Sequence, residues 1–551
     1  MRLVGRIVFV AAVILLVATR LIVSSDLAVE IVYGPHDDWL YVRRALQLMV
    51  DGTLGPYDSL VLVKFPGVSL WLAGLRLLGI PFLIGVTGLY VVAGLYLLSA
   101  FIRCGTNIWV ALAAFALYLF NPITFSFDWL RVFREATDTE LLVVMVAAMG
   151  HILLDIGSDK RPWIHVAVFS VAFAFSLFMR EENRLLWALL LLFCAALIYR
   201  MRGRTRDRMA ISIAALTIVL PALVGKGYEL LLREFVEDRY GLPIIHDFSE
   251  GEFPRMLAAI RSVVNSKENR LVMVSQETLA KLKKEVPAFT PVAERLPAPG
   301  PRTYSCEYHG VCSEWSNGWM LFWVKDEAFQ AGLTPNLKAA QAYFQRVRID
   351  IERACEQGRL KCAHRGDGLL PPMELRWTRA YIAETWRLIK MTLVPSQDVV
   401  PTSPLVYDVP LEVGRAFQVA TMTHNFDTEY QASAGANAPH ILKTSFYTTR
   451  STLKTLYRYF GPFLLLLALG AFFTRISLCA GVSLSPLALL GGIFAMYAVL
   501  RLLVLGYVAV FFGQFTDRIV FSIYGIAIAL SLPYIAETAT ACRTAHRGLS
   551  E

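Results

Sequence analysis

The residues best suited to chemistry follow the first apolar stretch of the chain: His36-Asp37-Asp38-Trp39-Leu40-Tyr41, with Arg43 and Arg44 behind them. Two adjacent carboxylates just outside a membrane helix can do two jobs. One can act as a general base toward an acceptor group, and the pair can hold a divalent cation. The same stretch also reads as a solvated helix start, with Asp37 as N-cap of a pattern running to Met49. Further charged sets recur between apolar stretches. Arg131, Arg134, Glu135, Asp138 and Glu140 follow Asn121-Pro122. Arginines there suit a phosphate as forked donors, Asp138 suits support of a base or cation, and an interfacial salt-bridge cluster is the alternative. Arg180-Glu181-Glu182-Asn183-Arg184 forms a charged knot, either an ion-pair network or a wall of a shared cavity, and Asp517-Arg518 opens the last span. Charges at membrane level are costly, so their positions carry information.

The elements that must position these groups are apolar helices. Of 551 residues, 56% are hydrophobic and only 18% charged, and the mean hydropathy is +0.50. A soluble domain carries about a quarter charged residues, so lipid is part of the solvent here. The net charge of +9 is no nucleic-acid signal, because basic residues crowd short loops between spans. Windows of about 20 apolar residues predict ten spans, near 3–24, 82–102, 107–127, 138–156, 163–180, 184–200, 208–225, 457–474, 483–505 and 517–535. The first is read as a retained helix, because no convincing cleavage site follows it.

Basic residues sort to one side if both termini are cytoplasmic. Arg2, Arg6, Arg103, Lys160, Arg161, the run Arg200, Arg202, Arg204, Arg206 and Arg208, and Arg475, Arg543 and Arg547 then all lie inside. The stretch 65–80 begins with a Pro-Gly break and is short, which predicts an interfacial or re-entrant helix. The fold class expected is mostly α: a polytopic bundle, residues 1–225 with a first outer loop at 26–81, then a mixed, mainly α extracytoplasmic domain at 226–451, then helices and tail at 452–551. Cys306 with Cys312, and Cys355 with Cys362, close short loops and are expected as disulfides in an oxidising compartment. A zinc site using His309 and His364 is the alternative. Trp315, Trp319 and Trp323 are read as domain core, or as a sugar-stacking platform.

An acidic pair, Tyr41 four residues after Asp37, the break at Asp51-Gly52-Thr53, and then Lys64-Phe65-Pro66-Gly67 before an amphipathic helix together resemble the first outer loop of the membrane-embedded GT-C glycosyltransferases. The likeness is greatest to protein O-mannosyltransferases and lipid A aminoarabinose transferases. It covers residues 1–225 in topology, plus the tail helices. It implies an inverting transferase that uses a polyprenyl-phosphate-linked sugar and a glycan, lipid or protein acceptor. By the same resemblance Asp37 takes the base position, Asp38 is its acidic neighbour, and Lys64 stands near the donor phosphate. Arg131, Arg134, Arg184 and Arg518 would steady the leaving phosphate, with Glu135, Asp138, Arg180, Glu181 and Glu182 in support. Two departures stand out: the family pair is usually Asp-Glu, and its lysine is usually followed by two prolines. A bacterial inner membrane with the large domain in the periplasm fits these expectations. There is neither a Walker A loop nor a dinucleotide fingerprint. The rivals are a transporter or lipid flippase, which would move a lipid-linked sugar without consuming it, and a non-catalytic envelope assembly protein, in which the first-loop acids would be dispensable.

Overall fold

A computed structural model describes residues 3–156, 162–202, 208–264, 269–363, 370–394, 399–400, 409–423, 440–478, 484–513 and 520–550. Arg2, Lys160, Arg161, Arg204, Arg206, His364, Asp517 and Arg518 lie outside the described residues, as does the side chain of His309. The protein is mostly helical and multi-pass, and nine described helices are long and apolar enough to cross a membrane.

In chain order, helix α1 is Leu3–Ser24, α2 Asp38–Val50, α3 Gly67–Leu77, α4 Phe82–Arg103 and α5 Ile108–Leu119. A short α6 (Phe127–Leu130) precedes α7 (Arg134–Asp155), α8 (Trp163–Ser176), α9 (Leu186–Arg200) and α10 (Arg208–Tyr240). The ten expected spans each find a helix, but α8 has only 14 residues, fewer than the roughly 20 a bilayer core asks of an untilted helix. The stretch at 65–80 becomes the 11-residue α3, too short to span. Helix α10 runs through residue 225 to Tyr240 and stops where Gly241 takes φ +80°, the left-handed turn that ends many helices.

Helices α11 (Glu252–Ser262), α12 (Gln276–Glu285), α13 (Thr290–Arg295), α14 (Tyr304–His309), α15 (Asn317–Gln330) and α16 (Leu337–Glu356) build the large domain. A two-stranded antiparallel ribbon, β1 (Val272–Val274) with β2 (Trp315–Ser316), joins them. Both expected disulfides form, Cys306–Cys312 and Cys355–Cys362. Trp315 is core, 6% exposed, while Trp319 lies edge-on to His36 at 5.4 Å between ring centres. The domain's core also takes in Leu40 of α2 and Val63 of the first loop, both fully buried. The domain therefore grips the loop that carries the acidic pair.

Two further helices, α17 (Thr378–Leu393) and α18 (Leu411–Thr421), lead to the closing spans α19 (His440–Leu478), α20 (Pro486–Phe512) and α21 (Phe521–Ser550). Helix α17 lies against α20, where the Tyr381 hydroxyl donates to the Leu503 carbonyl at 3.1 Å. Leu375 just ahead of it, and Ile382 and Trp386 on it, are 95%, 62% and 54% exposed. An apolar face left open beside a membrane-spanning helix is suited to the lipid boundary.

Candidate active site

Asp37 occupies the N-cap position of α2, yet its side chain makes no capping bond. One carboxylate oxygen instead stands 3.5 Å from Lys64 Nζ, and the other 3.9 Å from His36 Nε2. Lys64 is held there by Arg44, which the sequence places behind the acidic pair without a role. Arg44 is fully buried and donates to the Val61 carbonyl at 3.0 Å and the Lys64 carbonyl at 2.8 Å, gathering the loop around its guanidinium. Burial pulls that guanidinium down to about 10, so it stays charged at neutral pH. Beyond Lys64, the Gly67 amide donates to the Phe178 carbonyl at 3.0 Å. A Cβ at Gly67 would stand 2.4 Å from that carbonyl oxygen, so only glycine lets the loop approach the 178–185 turn this closely.

Asp38 faces elsewhere. It is fully buried, and Arg131 bonds both of its oxygens, Nε at 2.9 Å from one of them. Arg131 also bonds Asp128 at 3.0 Å. Burial works against the Arg131 charge, but Asp38 outweighs it and raises the group well above its ordinary value. Arg131, expected at the donor phosphate, is thus committed to Asp38, and Asp38 is committed to holding α2 against the 126–133 segment. The two carboxylates do not converge as a pair of metal ligands, and among the described residues no group of three His, Cys, Asp or Glu is placed to hold a metal ion.

Arg134, Glu135 and Asp138 of the second charged set meet the third set. Arg134 pairs with Glu181, and Glu181 in turn lies 3.6 Å from His246 Nε2. Arg180 reaches Glu135 at 3.5 Å and donates to Glu182 at 2.7 Å. Asp138 accepts from Ser176 Oγ at 3.0 Å and from Asn183. A residue that sequence reasoning overlooked, Arg501 on α20, 1% exposed, joins this network. It stands 3.7 Å from Asp138 and 3.8 Å from Glu182, and donates to the Tyr497 hydroxyl at 3.1 Å. An arginine inside an apolar span was signal enough. Tyr41 packs edge-on to Phe133 at 5.9 Å. Its buried hydroxyl has no hydrogen-bond partner among the described residues, and burial pushes it far above its ordinary value. Arg184 stands apart: its side chain is 60% exposed and 3.9 Å from Glu250.

Two spaces adjoin this network. A cavity of about 810 Å³ lies between the first loop and the large domain, lined by Lys64, Glu181, Arg233, His246, Phe248 and Phe322 among others. A groove of about 860 Å³ runs between α9, α19, α20 and α21, lined almost wholly by apolar side chains including Ala188, Leu465, Phe494, Leu500, Leu503 and Leu530. Arg501 lies on α20 between the groove residues Leu500 and Leu503, and its guanidinium reaches the Glu182 turn. Compared with protein-family models, curated proteins and solved structures, the chain matches none of them.

Proposed function

We propose that the protein is an inverting, GT-C-like glycosyltransferase that moves a sugar from a polyprenyl-phosphate donor to an acceptor on the membrane face bearing the large domain. One observation carries the reading: the Asp37–Lys64 pair, 3.5 Å apart, with Lys64 lining the cavity. The apolar groove supports it, being of a kind that suits a polyprenyl chain. Asp37 takes the proton of an acceptor hydroxyl or amine as that atom attacks the sugar's anomeric carbon. The bond from that carbon to the phosphate oxygen breaks, its electron pair stays with the departing polyprenyl phosphate, and the configuration inverts. Lys64 stabilises the phosphate's growing charge. Arg44, Arg131, Arg134, Arg180 and Arg501 act one step removed, fixing the loop and turns that present these two groups. A bacterial inner membrane with a periplasmic domain suits the disulfides.

The test uses the full-length protein in lipid nanodiscs, supplied with polyprenyl-phosphate hexoses and a total envelope extract as acceptor. Release of polyprenyl phosphate, lost in Asp37→Asn, is expected. A lipid-linked sugar that crosses a vesicle membrane unconsumed would replace this reading with that of a flippase.

A further inference from the structure

Helix α17 packs along the end of α20 that enters the large domain. Tyr381 meets the Leu503 carbonyl, and one turn further on Thr385 meets Gly506. A Cβ at Gly506 would stand 2.2 Å from Thr385 Oγ1, so glycine is what lets the two helices touch. Helix α17 also touches α19 and α21, and with α20 these are three of the four helices that line the apolar groove. Met496, Val499 and Leu503 line that groove and stay exposed on α20. Their apolar surface passes at Leu503 onto α17, where Ile382 and Trp386 continue it.

The charges of α17 divide between its two sides. Its carboxylate, Glu384, is turned inward: it lies 3.7 Å from Arg270 of the large domain and accepts from Arg387 at 2.9 Å. Outward, Arg379, Ala383, Trp386 and Lys390 share one helical face, with Ile382 beside them, and all five are exposed. Among the described residues neither Arg379 nor Lys390 makes an ion pair, and Lys390 Nζ lies 5.7 Å from the Trp386 ring centre. The two cations stand about 16 Å apart by helical rise. An exposed apolar stripe with a cation near each end and an indole between them matches the boundary between acyl chains and headgroups.

We infer that this face binds anionic phospholipids of the leaflet that borders the large domain. Their acyl chains lie against Ile382, Trp386 and the exposed residues of α20, and their phosphates meet Arg379 and Lys390. Two outward cations with no carboxylate beside them select an anionic headgroup over a zwitterionic one, each contributing about fivefold near such a surface. A protein partner would have to bury both cations against carboxylates of its own, whereas lipid already covers the span that this face continues. Through Glu384 and Arg270 the same helix is fixed to the large domain, so the lipid sits where membrane, helix and domain meet. This holds whether or not the protein transfers a sugar.

The experiment reads Trp386 fluorescence in the full-length protein in nanodiscs, taken as the difference between wild type and Trp386→Phe. Quenching by brominated phosphatidylglycerol is compared with quenching by brominated phosphatidylcholine. Wild type is expected to favour the anionic lipid roughly twentyfold, read as the ratio of mole fractions at half-quenching. Arg379→Gln or Lys390→Gln should cut that preference to about fivefold, and the double variant should abolish it, with the thermal midpoint unchanged because both side chains are exposed. High salt should weaken the wild-type preference, a check that needs no variant. Equal quenching by the two lipids in wild type, or a preference that survives in the double variant, would overturn the site. Quenching by neither lipid would overturn it as well, in favour of a face covered by protein.

Discussion

Helix α7 carries a polar cluster at each end, about 25 Å apart by its 1.5 Å rise per residue. At one end Arg134, Glu135 and Asp138 join residues from the 181–185 turn, α20 and the large domain. At the other, Asp155 pairs with Arg103, while His151 stacks on His165 at 4.3 Å. The Tyr96 hydroxyl meets His165 Nδ1 at 2.6 Å, and Ser99 meets His151 Nε2 at 2.9 Å. The second cluster comes from three neighbouring helices, α4, α7 and α8, and its groups are occupied with one another. The first is drawn from stretches hundreds of residues apart and borders a cavity. Both ends gather polar side chains, the first far more charged ones than the second, and what further separates them is how many distant parts of the chain converge and whether space remains beside them.

Breaking that comparison begins with Asp37→Asn. Transfer should fall by about 10²- to 10⁴-fold, the usual worth of a positioned base, with the thermal midpoint unchanged. Asp38→Asn should do the reverse, lowering the midpoint first, because Arg131 loses a buried partner. Next, Arg501→Met should cost about 3–5 kcal/mol by leaving Asp138 and Glu182 without their shared cation, read as a loss of folded protein in denaturant titration. Near-wild-type stability there would show that the cluster is not held from its centre. Reductant should remove roughly 2 kcal/mol per loop from the large domain by opening its two short disulfide loops, seen as earlier melting of its tryptophan signal. Gly67→Ala should cost about 1–3 kcal/mol, as overpacking does, and displace Lys64, so that donor use suffers more than folding. Smallest, Arg103→Met should cost about 1 kcal/mol, since its side chain is 32% exposed, and should leave decaprenyl phosphate binding intact.

Hydropathy made the spans legible because each span must satisfy its own backbone in lipid. The cysteines were legible because short spacing leaves few partners. The acidic pair was legible as a pair, but its division of labour was not: Asp38 finds its arginine 93 residues away, a distance no local pattern encodes. Arg501 could have been found as a lone charge in an apolar span. His246 could not, because nothing near it in sequence announces Phe65 or Glu181. Helix α10 overran its expected end because hydropathy stops at Lys226, whereas the helix stops at Gly241.

Helix α17 adds a mechanical consequence. With α10 entering the large domain, α19 leaving it and α17 resting along the lipid boundary between them, the domain stands on three legs. Three attachments hold a body against swinging better than one, and in the proposed transferase they would fix the headroom above Lys64 when the chain folds.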